Sequence, residues 1–337
     1  MRLILSVLAL IGAVASFGLY NQHLQFSQTR IVFATPYSEI KAGQNLATLC
    51  QQWQQQQQLS AATCVWLKAI SVLRPELRKL QRGVFAVQPS MPLFDVLALY
   101  RSGREAQFSF TLKEGQTVAQ SLAALSSATF LQNDITSLEA LQTLLRWPAE
   151  WGPAPVNIEA MFLPETYYYT AHTKASQLYG RAHTALLAAV EQAWQQQQPG
   201  LPFTSRYDLL TLASIIEKET GALAEKPLIA SVFVNRLRLN MKLQTDPTVI
   251  YGLGDRYAGD ITRAHLREPH AYNTYVHFGL PPGPIAMVSI SSLQAAAQPA
   301  SSNMLYFVAK GDGTHQFSSN LKAHNAAVAQ YIFGRKP

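Results

Sequence analysis

A chain of 337 residues with 48% hydrophobic content is long enough to build two or more ordinary cores. Charged residues make up only 14%, so Gln, Ser, Thr and Asn must supply much of the polar surface, and the formal net charge of +7 favours anionic partners such as membrane surfaces or acidic cell-wall polymers. There is no dense Lys/Arg run, which argues against nucleic acid as a partner.

Residues 3–29 contain no Asp, Glu, Lys or Arg. The apolar part, residues 3–20, would make a helix of about 27 Å, just under the roughly 30 Å hydrocarbon core. Arg2 and the amino terminus form the positive end, so the N-terminus is expected in the cytoplasm and the rest of the chain outside. Ala13-Val14-Ala15 offers the competing reading of a cleaved signal peptide. The apolar run continues through Phe17, Gly18, Leu19 and Tyr20, which favours an uncleaved anchor. With neither cysteine nearby, lipid modification at a cleavage site is excluded.

A polar linker is predicted over 22–30 and a short strand over 30–34. A helix follows, with Leu46, Leu49, Cys50 and Trp53 on its apolar face, leaving through a Gln-rich tract at 51–58 that reads as solvated. Val65, Leu67, Ile70 and Leu73 suggest a second helix, 83–87 a strand and 92–100 another helix, together a small α+β unit. Cys50 and Cys64 could pair in an oxidising compartment or remain buried thiols. No His or further Cys sits at ligand spacing around them, so no metal site is expected.

Residues 108–112 alternate like a strand, and a helix from 175 stops at Pro199-Gly200. In the next helix Leu209, Leu212, Ala213 and Ile216 form one buried face, with Glu217 at its edge. Burial disfavours a charged carboxylate, so Glu217 is expected to have a raised pKa and to serve as a proton donor. Glu219, two positions on, points elsewhere. A helix is predicted over 225–239, a strand over 305–309 and a last helix over 321–333. The segments at 243–248, 272–275, 279–284 and 314–317 read as loops. Their aromatic, amide and hydroxyl groups suit a carbohydrate, which offers ring faces and hydroxyls.

Four blocks carry a family resemblance. They are Ala213-Ser214-Ile215-Ile216-Glu217-Lys218-Glu219-Thr220, Ala230-Ser231-Val232-Phe233-Val234-Asn235-Arg236-Leu237, Leu243-Gln244-Thr245-Asp246-Pro247-Thr248-Val249-Ile250-Tyr251-Gly252 and Ala271-Tyr272-Asn273-Thr274-Tyr275. Gly279-Leu280-Pro281-Pro282-Gly283 and Leu305-Tyr306-Phe307-Val308-Ala309 complete the set. In this order the blocks resemble the endolytic murein transglycosylases (the MltG or YceG-like family), most closely over residues 155–332. The resemblance implies an α+β protein: a transmembrane anchor at 1–21, a linker at 22–30, a small LysM-like α+β module at 31–102, a connecting α/β region at 103–154 and a mixed α/β catalytic domain at 155–334. It implies a lyase of the inner membrane, single-pass, with its catalytic domain in the periplasm. The enzyme would cut the MurNAc-GlcNAc β-1,4 bond of nascent peptidoglycan to leave 1,6-anhydroMurNAc ends, terminating glycan elongation. The family's catalytic glutamate falls on Glu217, and the substrate-binding candidates are Gln244, Asp246, Asn273, Thr274 and Tyr275. No cofactor or metal is expected; the partners would be glycan strands, the inner membrane and cell-wall synthases. A hydrolytic muramidase using Asp246 as second carboxylate and a non-enzymatic scaffold are the alternatives.

Overall fold

The computed structural model describes residues 28–334 together with Gly18, Tyr20 and Phe26. The expected membrane span at 3–20 lies, but for Gly18 and Tyr20, outside the described residues. Among the described residues, no helix is long and apolar enough to cross a membrane. The chain divides into two compact units, Met1–Phe108 with Tyr169–His172, and Ser109–Tyr168 with Thr173–Pro337.

The first unit is α+β. β1 (Arg30–Val32) and β2 (Tyr37–Ile40) precede α1 (Leu46–Gln55) and α2 (Ala61–Leu73); β3 (Gly83–Ala86), β4 (Ser90–Pro92) and α3 (Leu93–Ser102) follow. β1 pairs antiparallel with β4, and β2 with β3. Asn45 starts α1, accepting from Ala47 and Thr48 N–H while Thr48 bonds back, a reciprocal cap that satisfies otherwise orphaned donors. Leu46, Leu49, Cys50 and Trp53 are buried as the spacing predicted. In α2 the buried face is Cys64, Leu67 and Ser71, whereas Val65 and Leu73 are 67% and 84% exposed. Cys64 thus turns inward in place of Val65 and packs on Cys50 of α1. Both cysteines are free thiols; Cys64 Sγ contacts the Cys50 carbonyl at 3.4 Å, and burial pushes the Cys50 thiol up to about 12.

β5 (Gln107–Thr111) leads into the second unit, where α4 (Val118–Ala124), α5 (Leu138–Gln142) and β6 (Thr166–Thr170) precede a group of longer helices. These are α6 (Ala175–Gln195), α7 (Arg206–Glu219) and α8 (Lys226–Arg238), joined by α9 (Asp246–Leu253) and α10 (Ile290–Ala297). β7 (Tyr306–Ala309) and β8 (His315–Ser318) form an antiparallel ribbon, and α11 (Leu321–Tyr331) packs on it. Two segments expected as loops are regular. Residues 246–253 form α9, with Pro247 in its first turn where its missing N–H costs nothing, and His315–Ser318 is a strand because it pairs with β7.

α7 is the central element. Every residue from Leu209 to Ile216 is buried, and α10, α8, α6 and α9 pack around it. Ser205 and Asp208 cap its start reciprocally. The helix is therefore held on all sides until its last turn, where Glu217 and Glu219 emerge.

Candidate active site

Glu217 does not open into a cleft. Its side chain is 6% exposed and faces Lys226, whose side chain is 2% exposed, with Nζ 3.2 Å from Oε2. The same oxygen accepts from the Ser289 N–H at 3.0 Å, the Ser289 hydroxyl at 2.5 Å and the Ser292 hydroxyl at 2.6 Å. Ser289 caps α10, so the carboxylate sits at a helix N-terminus, where negative charge is favoured. Burial pushes the carboxyl up, but the two serine hydroxyls, the Ser289 N–H and Lys226 outweigh it and hold it below its ordinary value. The sequence led us to expect a raised pKa here. It is reversed because burial came with donors and a cation that hydropathy spacing does not reveal.

Glu219 has the properties expected of Glu217. It lines a cleft of about 430 Å³ with Arg236, Gln244, Asp246, Tyr275 and His324. Burial pushes its carboxyl up to about 7. The Thr245 hydroxyl, which donates to Glu219 Oε1, opposes that rise; the negative charge of Asp246 adds to it, and His315 and Arg236 oppose it. On a helix, positions two apart project about 200° from one another, so the two glutamates cannot share a site.

Around Glu219 the loops behave unequally. The Tyr275 hydroxyl donates to Asp246 Oδ1 at 2.6 Å. Burial first, and then this bond and the Asp246 charge, push the Tyr275 phenol up, so the tyrosine keeps its proton. Gln244 takes a left-handed backbone conformation at φ 50°, sparsely populated for any residue but glycine, and its N–H bonds the Thr274 carbonyl at 3.2 Å. These three expected residues line the cleft. Asn273 and Thr274 do not. Asn273 is fully buried, and its amide donates to the carbonyls of Glu268 at 2.8 Å and His265 at 3.1 Å. The Thr274 hydroxyl meets the Thr245 N–H at 3.1 Å and the Thr248 hydroxyl at 2.8 Å. They shape the loop that carries Tyr275; as substrate contacts they are corrected, because their polar groups are consumed inside the protein. Glu165 is exposed and lies outside the lining of this cleft.

Arg236 makes no ion pair among the described residues. It is 8% exposed, with Nε donating to the Leu305 carbonyl at 2.7 Å and Nη1 to the carbonyls of Leu243 at 2.8 Å and Lys242 at 3.2 Å. Its guanidinium lies 5.0 Å from the Tyr306 ring centre. Two separate segments, at 242–243 and 305–306, are thereby tied to α8 by one side chain. His324 stacks on Tyr306, and its Nδ1 is buried without a protein partner. Sequence reasoning set Glu219 aside, and only the i, i+2 offset from Glu217 hinted that Glu219 would face a different surface. Among the described residues no cluster of His, Cys, Asp and Glu could hold a metal ion.

The sequence pattern of the YceG-like family matches residues 38–330. The chain belongs to the YceG-like family. It is 31% identical over 265 residues to the endolytic murein transglycosylase of Bacillus subtilis (strain 168), covering 75% of this chain and 73% of that relative. To the endolytic murein transglycosylase of Streptococcus pneumoniae serotype 2 (strain D39) it is 27% identical over 272 residues. That match covers 76% of this chain and 48% of the pneumococcal protein, so the chain spans about half of that relative's length. The crystal structure of a yceG-like protein from Listeria monocytogenes superposes with a TM-score of 0.56 at 25% identity, over 89% of this chain and 99% of that one. The mixed α+β architecture expected from the sequence fits this likeness.

Proposed function

We propose that this protein is an endolytic lytic transglycosylase of peptidoglycan with Glu219 as its acid and base. The observation that carries the reading is the carboxyl of Glu219, raised to about 7 in a cleft it shares with Asp246 and Tyr275. A group that is part protonated and part ionised near neutral pH can give a proton and take one back in a single turnover. Glu219 would protonate the oxygen that links MurNAc C1 to GlcNAc C4 as that bond breaks. The GlcNAc unit leaves with a free 4-hydroxyl. Glu219, now ionised, draws the proton from the MurNAc 6-hydroxyl as O6 bonds to C1, giving the 1,6-anhydro ring. No water is consumed, and one carboxyl group suffices.

Asp246 supports a second reading. Its negative charge acts on Glu219 from within the same cleft, so a two-carboxylate muramidase is also built from residues present. Mass spectrometry of products from purified glycan strands separates the two. Anhydro ends, one water lighter than reducing ends, support the lyase; reducing ends support the muramidase. No release of fragments by the folded protein would leave only a glycan-binding scaffold.

The remaining parts of the reading follow the family's layout. Residues 3–20 would anchor the chain in the inner membrane with the cleft in the periplasm, and the first unit would serve as a LysM-like module. Cell-wall synthases would then be partners, and cleavage of nascent strands would end their elongation.

A further inference from the structure

We propose that the buried Lys226–Glu217 pair is a clamp that positions Glu219 without touching substrate. This inference rests on the reading of Glu219 as the acid. α7 ends at Glu219, and the N–H of its capping residue, Thr220, reaches the Ile216 carbonyl at 3.4 Å, a long bond in a turn prone to fray. A carboxyl carried on such a turn needs a fixture. Glu217 supplies it from the opposite side of the same turn, bonded to the start of α8 through Lys226 and to the cap of α10 through Ser289 and Ser292. Holding one side of the turn sets the direction of the other.

The placement of Lys226 supports a purposeful pairing. It is the first residue of α8, where the helix dipole disfavours a cation, and it is almost wholly buried. Its ammonium spends its three protons on Glu217, on the Ser289 hydroxyl at 2.9 Å and on the Ser291 hydroxyl at 3.0 Å. An apolar pair of similar volume would hold three helices together as well or better. Such a pair would lack the directional bonds that fix the rotation of the last turn.

The test is steady-state kinetics on purified glycan strands, with melting temperature, for the full-length variants Lys226→Met, Glu217→Gln and the double variant Glu217→Leu/Lys226→Met. Lys226→Met leaves a buried carboxylate uncompensated and should melt earlier than wild type. The double variant should regain most of the melting temperature. Its kcat should stay at least about tenfold down while KM moves less than about twofold, because misplacement of a reacting group costs turnover and the cleft walls are intact. Glu217→Gln, which keeps shape and part of the bonding, should lose kcat by about tenfold at unchanged KM. Wild-type kcat in folded Glu217→Gln or in the double variant would show a purely structural pair and overturn the clamp. A loss beyond about 10²-fold in Glu217→Gln, together with an active Glu219→Gln, would move the chemistry to Glu217 and overturn both the clamp and the reading it rests on. An inactive Glu219→Gln beside a fully active Glu217→Gln would overturn the clamp alone.

Discussion

Glu217 and Glu219 leave the last turn of α7 in opposite directions and into opposite electrostatic surroundings. One is held ionised by Lys226 and two serines, while the other is pushed up to about 7 beside Asp246. The same turn therefore carries a fixed charge and a titrating group.

Glu219→Gln keeps the shape of the side chain and removes the transferable proton. It should fold normally and lose at least about 10²-fold in turnover on glycan strands, in line with general acid catalysis. Near-normal turnover would sink the assignment.

The pH dependence of kcat/KM should show a falling limb near pH 7, where Glu219 gives up the proton it must donate. Glu217, held below its ordinary value, would place no limb there. A profile flat between about pH 6 and 9 would contradict Glu219 as the acid.

Stability has its own pH signature. Glu219 and the buried Glu159, whose carboxyl burial also pushes up to about 7, bind protons more tightly folded than unfolded. Their stabilising contribution is full below the unfolded value of 4.5 and is lost as pH rises through about 7. Glu217 works the other way, stabilising above 4.5 and losing that contribution as pH falls through its lowered value. Glu159→Gln can still accept from the Val118 N–H, 2.9 Å from Oε2, so it should flatten the decline between about pH 5 and 8. An unchanged slope in thermal melts would show that Glu159 does not titrate there.

Asp246→Asn removes a negative charge that raises Glu219, so the falling limb should move to lower pH. If the enzyme is a lyase, anhydro products persist at reduced rate. If Asp246 is the second carboxylate of a muramidase, turnover is abolished. Product mass and the pH profile read the two outcomes independently.

Asn273→Ala should act on the fold first. It removes two hydrogen bonds, to the carbonyls of His265 and Glu268, which net about 0.5–1.5 kcal/mol each. A clear drop in melting temperature is expected, with activity falling through displacement of Tyr275. The Tyr275 hydroxyl has no such tie beyond Asp246, so Tyr275→Phe should melt nearly as wild type and lose activity. If Asn273→Ala melts like wild type, the loop does not depend on it.

Fractionation tests the anchor. Full-length protein should remain in the membrane pellet after high salt, since residues 3–20 carry no charge to be screened. A soluble form beginning at Ser16 would establish cleavage instead.

The periodic and punctuated parts of the chain were legible without a structure. The face of α1 was readable because Leu46, Leu49, Cys50 and Trp53 recur at helical spacing, and the core of α7 because Leu209, Leu212, Ala213 and Ile216 do the same. α2 was also readable, with Leu67 buried and Ile70 packed on the core, but Val65 is exposed and Cys64 takes its place, because both are plausible core residues and only packing on Cys50 chooses between them. α9 was missed because Pro247 resembles a turn former until its place in a first helical turn is known.

By itself, then, the sequence determined the family, the mixed α+β architecture and the helix that delivers a glutamate. Each of these is written in residues near one another along the chain. The tertiary structure decided which glutamate faces the cleft, and it decided which loop residues build the wall and which line it. Those outcomes depend on groups far away in sequence. Lys226, Ser289 and Ser292 hold Glu217 down, whereas Thr245, Asp246 and Arg236 surround Glu219. A carboxyl's charge follows from the donors, cations and solvent around it in space, and local spacing cannot supply those.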